Sequence, residues 1–136
     1  MATEPESDNV RLLRRVYEAW DALDGEAVIA LLDPEFEWVN PVYAVDPGIR
    51  RGHDGFRKVM ENLDASFCEQ SRVIEALVDL GDRVLAHTIF RTTGRDSGAK
   101  IDIPEQHLWT LRDGKVLRIQ WFHDVSEAER AAHDSR

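Results

Sequence analysis

Three side chains that could perform acid–base chemistry lie close together in the C-terminal third of the sequence: Glu105, His107 and His123. Glu105 and His107 are two residues apart, so in a β-strand both point to the same face. Imidazole is the usual proton-transfer group near neutral pH, and a neighbouring carboxylate can orient it. We therefore predict that His107 or His123 moves a proton on a bound substrate while Glu105 orients it. The alternative is that each histidine is a satisfied polar residue in an inert cavity, since structural pairs are also common.

A fourth candidate, Asn40, immediately precedes Pro41. An amide side chain offers two donors and an acceptor, so Asn40 could orient a water molecule or a substrate carbonyl. The alternative is a turn residue before the proline. Asp124 is also a carboxylate near the candidate group, but its position before a predicted helix favours a helix cap.

The register of one predicted hairpin, Ile101–Asp124, decides which of these side chains share a face. A two-residue turn at Asp113-Gly114 would pair Leu111 with Val116. A three-residue loop, with Gly114 in the left-handed region, pairs Leu111 with Lys115 instead. We favour the three-residue loop, because it segregates apolar from polar side chains better.

In this register His107 lies opposite Ile119 and Glu105 lies opposite Trp121. Arg118 and Gln120 point to the other face. The inner face then combines the candidate acid–base groups with an apolar set: Trp109, Leu111, Leu117, Ile119 and Trp121. An apolar concave surface with a few polar groups is typical of a small-molecule site.

The predicted pocket wall is largely aromatic. The alternative is that these side chains, Trp20 above all, simply fill the core. The candidate substrate-binding residues are Tyr17, Trp20, Trp38, Phe56, Met60, Phe90, Trp109 and Trp121.

The elements that must position these residues follow from hydrophobic periodicity and from helix caps and breakers. Three helices are predicted before an antiparallel sheet that must bend strongly to enclose a pocket, which is an α+β architecture. One domain spans residues 7–132, between flexible tails at 1–6 and 133–136. The predicted helices are 8–23, 25–32 and 53–65, with a short one after Asp124; the predicted strands are 35–40, 72–79, 83–92 and the two of the hairpin, and 41–51 is a loop.

The composition excludes several classes of function. The net charge of −9 argues against nucleic acid and anionic membranes as partners. No apolar run approaches the ~20 residues of a membrane span. The single cysteine, Cys68, rules out an internal disulfide and is typical of a cytoplasmic protein. We expect no metal and no cofactor, because no close-spaced ligand set or phosphate-binding motif occurs.

Several spaced segments, taken together, resemble the SnoaL-like branch of the nuclear transport factor 2-like superfamily. The resemblance spans roughly residues 9–130 and implies a cone-shaped fold of helices on a curved sheet around a pocket. The segments that carry it are Val16–Trp20, Ala30–Pro34, Trp38–Pro41, Gly52–Phe56, His107–Lys115 and Phe122–Asp124.

The resemblance is less informative about chemistry, because the superfamily includes cyclases, an isomerase, an epoxide hydrolase, a dehydratase and members without known activity. The general base of the ketosteroid isomerase corresponds to Asn40, and its oxyanion-binding groups to Val16 and His107. Of the residues of the epoxide hydrolase only Asn40 is retained. The two histidines of the dehydratase have no counterpart. The acid–histidine pair of the cyclases corresponds to Glu105 with His107.

Two classes of function remain open at this point. One is a cofactor-independent acid–base enzyme (a cyclase, isomerase, hydrolase or lyase) acting on a small hydrophobic molecule. The other is a non-catalytic ligand-binding or dimerisation module. The resemblance also implies a homodimer through the outer sheet face, which is predicted to be partly apolar: Leu85, Ile89, Leu108 and Phe122 beside Arg91, Arg118 and Gln120.

Overall fold

The structure is a computed structural model that describes residues 6–134. The helices are α1 (Asp8–Asp21), α2 (Gly25–Ile29), α3 (Gly52–Ser66) and α4 (Val125–His133). The strands are β1 (Leu32–Asn40), β2 (Gly48–Arg51), β3 (Phe67–Asp79), β4 (Arg83–Gly94), β5 (Lys100–Arg112) and β6 (Lys115–Phe122). The predicted α+β class is therefore correct. Of the tails predicted at 1–6 and 133–136, residues 1–5 and 135–136 lie outside the described residues.

The six strands form one sheet in the order β2-β1-β6-β5-β4-β3. All neighbours are antiparallel except β1 and β6, which run parallel. Two predictions need correction here. The segment 41–51 is not all loop, because Gly48–Arg51 pairs with the end of β1; and α3 follows β1 and β2, so only α1 and α2 precede the sheet.

Side-chain caps mark the starts of three helices. Ser7 accepts a hydrogen bond from the backbone N–H of Val10 at the start of α1, and Asp24 accepts one from Ala27 at α2. Asp124 caps α4 by accepting from the backbone N–H of Ser126, as its sequence position predicted.

The hairpin turn between β5 and β6 differs from the prediction. Asp113 and Gly114 both have positive φ (52° and 75°), which is the two-residue type I′ turn, and Leu111 pairs with Val116 rather than with Lys115. The predicted three-residue loop is therefore wrong.

A β-bulge beside this turn restores the predicted sorting of side chains. The register shifts by one residue between Thr110 and Leu111. Beyond the shift, Trp109 pairs with Ile119, and His107 pairs with Trp121 instead of the predicted Ile119. The extra residue in the bulge moves the register by one. Each side chain beyond the bulge therefore points to the face of the sheet that was predicted for it. Leu117 is the exception, since it lines a groove on the outer face.

The two faces of the sheet are covered differently. The helices α1, α2 and α3 pack on the inner face. The core between them and the sheet includes Leu13, Val16 and Phe36. On the outer face α4 packs its Ala128 and Ala132 on a smaller cluster made by Leu85, Leu108 and Phe122. Part of the apolar outer face is thus covered within the same chain. None of the described helices is long and apolar enough to cross a membrane.

Candidate active site

A cavity of about 410 Å³ lies between the inner face of the sheet and the helices α1 and α3. The segment after β1 closes one side. Its walls are mainly aromatic and aliphatic, with a few polar groups, as expected of a ligand site. The lining residues used below are Trp20, Trp38, Asn40, Tyr43, Arg72, Phe90, Glu105, Trp121 and His123.

Glu105 is a carboxylate that lines this cavity, and a chain of buried hydrogen bonds holds it from behind. Its Oε1 lies 2.6 Å from Nε2 of His107. The Nδ1 of His107 lies 2.6 Å from the hydroxyl of Tyr17, which accepts a hydrogen bond from Nε1 of Trp109 at 2.8 Å. The Glu105 side chain is 17% exposed and that of His107 only 1%. Of the two, Glu105 is therefore the group that a ligand can touch.

The direction of the protons along this chain follows from the donor inventory. The indole of Trp109 can only donate, so the Tyr17 oxygen accepts from it. When the His107 ring is neutral, the Tyr17 hydroxyl donates its own proton to Nδ1 of His107. An ionised carboxylate can only accept, so Nε2 of His107 carries the proton donated to Glu105. Both nitrogens of His107 are thereby used inside the protein.

The environment keeps Glu105 ionised. Burial raises the pKa of its carboxyl, but the hydrogen bond from His107 and the electrostatic effects of His107, Arg72 and His123 outweigh burial. The net result is a pKa below the ordinary glutamate value of 4.5. Burial also raises the pKa of Tyr17, so its hydroxyl stays protonated and can serve as the donor to His107.

Asn40 ties the cavity wall together. Its Oδ1 accepts from the indole nitrogens of both Trp38 and Trp121, at 2.8 Å each. Its Nδ2 donates to the backbone carbonyl of Asp46 at 2.9 Å, which fixes the segment that closes the cavity. The acceptor oxygen of the amide and one of its two donor hydrogens are therefore used in hydrogen bonds within the protein.

The segment after β1 carries a second aromatic contact. The hydroxyl of Tyr43 accepts the backbone N–H of His123 at 2.9 Å, and the tyrosine ring packs against the rings of Trp121 and His123. His123 thus lies at the cavity, as predicted, but at its exposed edge.

Arg72, on β3, is a cavity residue that sequence reasoning missed. Its guanidinium carbon lies 3.6 Å from the centre of the Trp20 ring and 4.7 Å from that of Phe90. Its Nη1 pairs with Asp21 at 3.1 Å, and its side chain is 1% exposed. A lone arginine in a strand is usually exposed, so the sequence offered no signal of this burial.

The predicted site residues separate into three groups. At the cavity lie Asn40, Glu105, His123, Trp20, Trp38, Phe90 and Trp121. Directly behind its wall lie His107, Tyr17 and Trp109, which are all buried, and the Tyr17 hydroxyl is hydrogen-bonded to both of the others. Elsewhere in the core lie Phe56, which packs against Phe36, and Met60.

Among the described residues, neither a metal centre nor the large depression on the outer face brings the predicted site residues together. Within residues 6–134 no group of three or more His, Cys, Asp or Glu side chains could hold a metal ion. A larger depression of about 1010 Å³ lies on the outer face, but it is lined by none of the predicted site residues. Its wall consists mainly of charged and polar side chains, among them Arg51, Arg112 and Glu37.

Comparison with known proteins agrees with the fold described above. The model of the SnoaL-like domain matches residues 13–119 of the chain. No curated protein matches the sequence.

Solved structures share the fold at low sequence identity. An NTF2-like protein of unknown function from Burkholderia pseudomallei is 22% identical, with 95% of this chain and 100% of that chain covered and a TM-score of 0.79. TerC, co-crystallized with polyporic acid, is 23% identical, with 94% and 100% covered and a TM-score of 0.78. A protein assigned as a SnoaL-like polyketide cyclase from Jannaschia sp. CCS1 is 20% identical, with 99% of each chain covered and a TM-score of 0.78.

Proposed function

The chain belongs to the SnoaL-like domain family, and from that premise we propose that it is an acid–base enzyme acting on a small, largely apolar molecule, with Glu105 as the general base. The observation that carries the proposal is the chain Trp109–Tyr17–His107–Glu105. It connects four side chains from two elements and ends on an ionised carboxylate at an apolar cavity.

The roles of the two predicted groups are exchanged in this proposal. His107 has no free nitrogen with which to meet a substrate, because Tyr17 and Glu105 occupy both. His107 is therefore a positioning residue that fixes and ionises Glu105, and Glu105 accepts the substrate proton. His123, at the exposed edge of the cavity, is placed to exchange that proton with solvent.

The reactivity of Glu105 can be measured without knowing the natural substrate. The probe is 5-nitrobenzisoxazole, a small neutral carbon acid that fits a cavity of this size. The base removes the proton from C3, the ring N–O bond breaks, and the product is a coloured 2-cyano-4-nitrophenolate. General-base catalysis is worth about 100- to 10,000-fold, so Glu105→Gln should lower the rate at least about 100-fold.

The matched control is Glu75→Gln, which makes the same substitution on an exposed position of β3. It should leave the rate unchanged. A Glu105→Gln variant as active as the wild type, or a wild type no faster than the same concentration of acetate, would overturn the proposal. The protein would then be the binding module that shares this cavity, an alternative that gains support from the structural use of Asn40.

We also propose that two copies associate through the part of the outer sheet face that α4 leaves uncovered, as the family resemblance implies. In support, the outer groove contains the side chain of Leu117 together with Arg118 and Gln120. Light scattering with Leu117→Glu decides this: a wild-type dimer that becomes a monomer supports the interface, and a wild-type monomer excludes it.

The free cysteine, Cys68, supports a cytoplasmic location.

A further inference from the structure

Beside the chain Trp109–Tyr17–His107–Glu105, the cavity wall contains two buried hydrogen-bond donors without an acceptor. Within residues 6–134, neither Nε of Arg72 nor Nε1 of Trp20 has a hydrogen-bond partner. Arg72 is 6% exposed and Trp20 is 3% exposed, and both residues line the cavity. Buried polar groups in folded proteins are nearly always paired, so two neighbouring exceptions at a cavity need an explanation.

The contacts of Arg72 explain why its Nε has no acceptor. Its Nη1 donates to Asp21 and its Nη2 donates to Gln70 at 2.7 Å. Its own backbone N–H also donates to Asp21, at 3.2 Å, and its guanidinium stacks on the Trp20 ring. These contacts hold the guanidinium in one orientation and use two of its three nitrogens, and Nε is the nitrogen left without an acceptor.

The stacking also places the two residues that carry orphaned donors in contact. The guanidinium carbon of Arg72 is 3.6 Å from the centre of the Trp20 ring, and the indole of that ring carries Nε1. One oxygen atom has lone pairs for two donors. A negatively charged oxygen satisfies N–H donors most strongly, and most of all a guanidinium.

We propose that Arg72 and Trp20 form a subsite for a negatively charged oxygen of the ligand, so that the cavity takes apolar molecules that carry one carboxylate or phenolate group. The inference rests on the proposed function only in that the ligand occupies the cavity beside Glu105. The aromatic rings of Trp38, Phe90 and Trp121 contact the apolar body of the ligand, and its anionic group displaces no existing partner of Arg72.

The probes are 2-naphthoate and 2-naphthamide, which have the same shape and differ in charge. Isothermal titration gives the two dissociation constants, and ¹H–¹⁵N spectra report the four indole N–H groups and the arginine Nε–H groups. We expect 2-naphthoate to bind at least about 10-fold tighter than 2-naphthamide, as charge-assisted hydrogen bonds are stronger than neutral ones. Only the naphthoate should move the Trp20 indole proton and the Arg72 Nε proton downfield.

The variant that removes the subsite is Arg72→Gln combined with Asp21→Asn, since the double change leaves no unpaired buried charge. It should abolish the preference for 2-naphthoate. Trp20→Phe removes one donor and keeps a ring at the position, so it should reduce the preference by a smaller factor and serves if the double variant fails to fold. The matched control is Arg91→Gln, an exposed arginine paired with Asp102, which should keep the full preference.

The result is separable from the test of the base. Glu105→Gln should lose the elimination of 5-nitrobenzisoxazole yet bind 2-naphthoate at least as tightly as the wild type, because a like charge has been removed from the cavity. Equal affinity for the two probes, binding of neither, or an anion preference that survives in both the double variant and Trp20→Phe would overturn the subsite.

Discussion

The two walls of one cavity treat their polar groups in opposite ways. On the wall formed by β5 and α1, every donor of the chain from Trp109 through Tyr17 and His107 reaches an acceptor, and the chain ends at Glu105. On the wall formed by β3 and α1, Arg72 and Trp20 each keep a buried N–H without a partner among residues 6–134.

The difference has a physical meaning. A fully satisfied buried network is rigid and fixes the position and ionisation of its terminal group. An unsatisfied donor is costly to bury and lowers the stability of the empty protein. In the proposed function the first wall holds the reactive group, and in the proposed subsite a ligand supplies the acceptor that the second wall lacks.

The largest effect on stability is expected when His107 is replaced, because His107 lies on the wall where every donor has an acceptor. Replacing His107 with Ala leaves Glu105 and the Tyr17 hydroxyl without their partner and creates a cavity at a residue that is 0% exposed. Loss of one partner of a buried pair typically costs about 3–5 kcal/mol of unfolding free energy. Urea unfolding measures this cost.

The control for that variant is His87→Ala. His87 is on the adjacent strand, is half-buried on the outer face, and is hydrogen-bonded to Gln106. Its replacement should cost less than about 1 kcal/mol. Equal costs at the two positions would mean that the hydrogen bonds of the chain Trp109–Tyr17–His107–Glu105 add nothing to the stability of the protein.

A smaller effect on stability is expected when the same substitution, Trp to Phe, is made once on each wall. Trp109→Phe and Trp20→Phe each remove an indole N–H from a side chain that is at most 3% exposed. The N–H of Trp109 donates to Tyr17, whereas that of Trp20 has no partner among the described residues. Trp109→Phe should therefore be more destabilising by about 1 kcal/mol, the net worth of one hydrogen bond. Equal losses, or a greater loss at Trp20, would erase the contrast between the walls.

The sequence predicted the side of the sheet on which each candidate residue lies more reliably than it predicted the pairing. The type I′ turn at Asp113-Gly114 and the bulge beside Leu111 changed the pairs. Glu105, Trp109 and Trp121 nevertheless stayed on the inner face, because the bulge shifts the register by one residue.

Other parts of the structure could not be predicted for identifiable reasons. The strand β2 has only four residues and pairs at the edge of the sheet, so its pattern was too short to recognise. Strand β3 begins at Phe67, directly after α3, and Phe67 completed a helical apolar spacing in the sequence. Arg72 was missed because its partner Asp21 is 51 positions away, and a contact at that separation leaves no local signal.

The most direct test of the central claim, that His107 holds an ionised Glu105 at the cavity, is a pH titration of the Glu105 carboxyl carbon by ¹³C NMR. We expect a single transition below pH 4.5, the ordinary glutamate value. A lowered pKa also sets the sign of the linkage: the stabilisation from Glu105 is present above pH 4.5 and is lost as the pH falls through the lowered pKa. A Glu105 carboxyl that titrates above pH 4.5 would contradict the account.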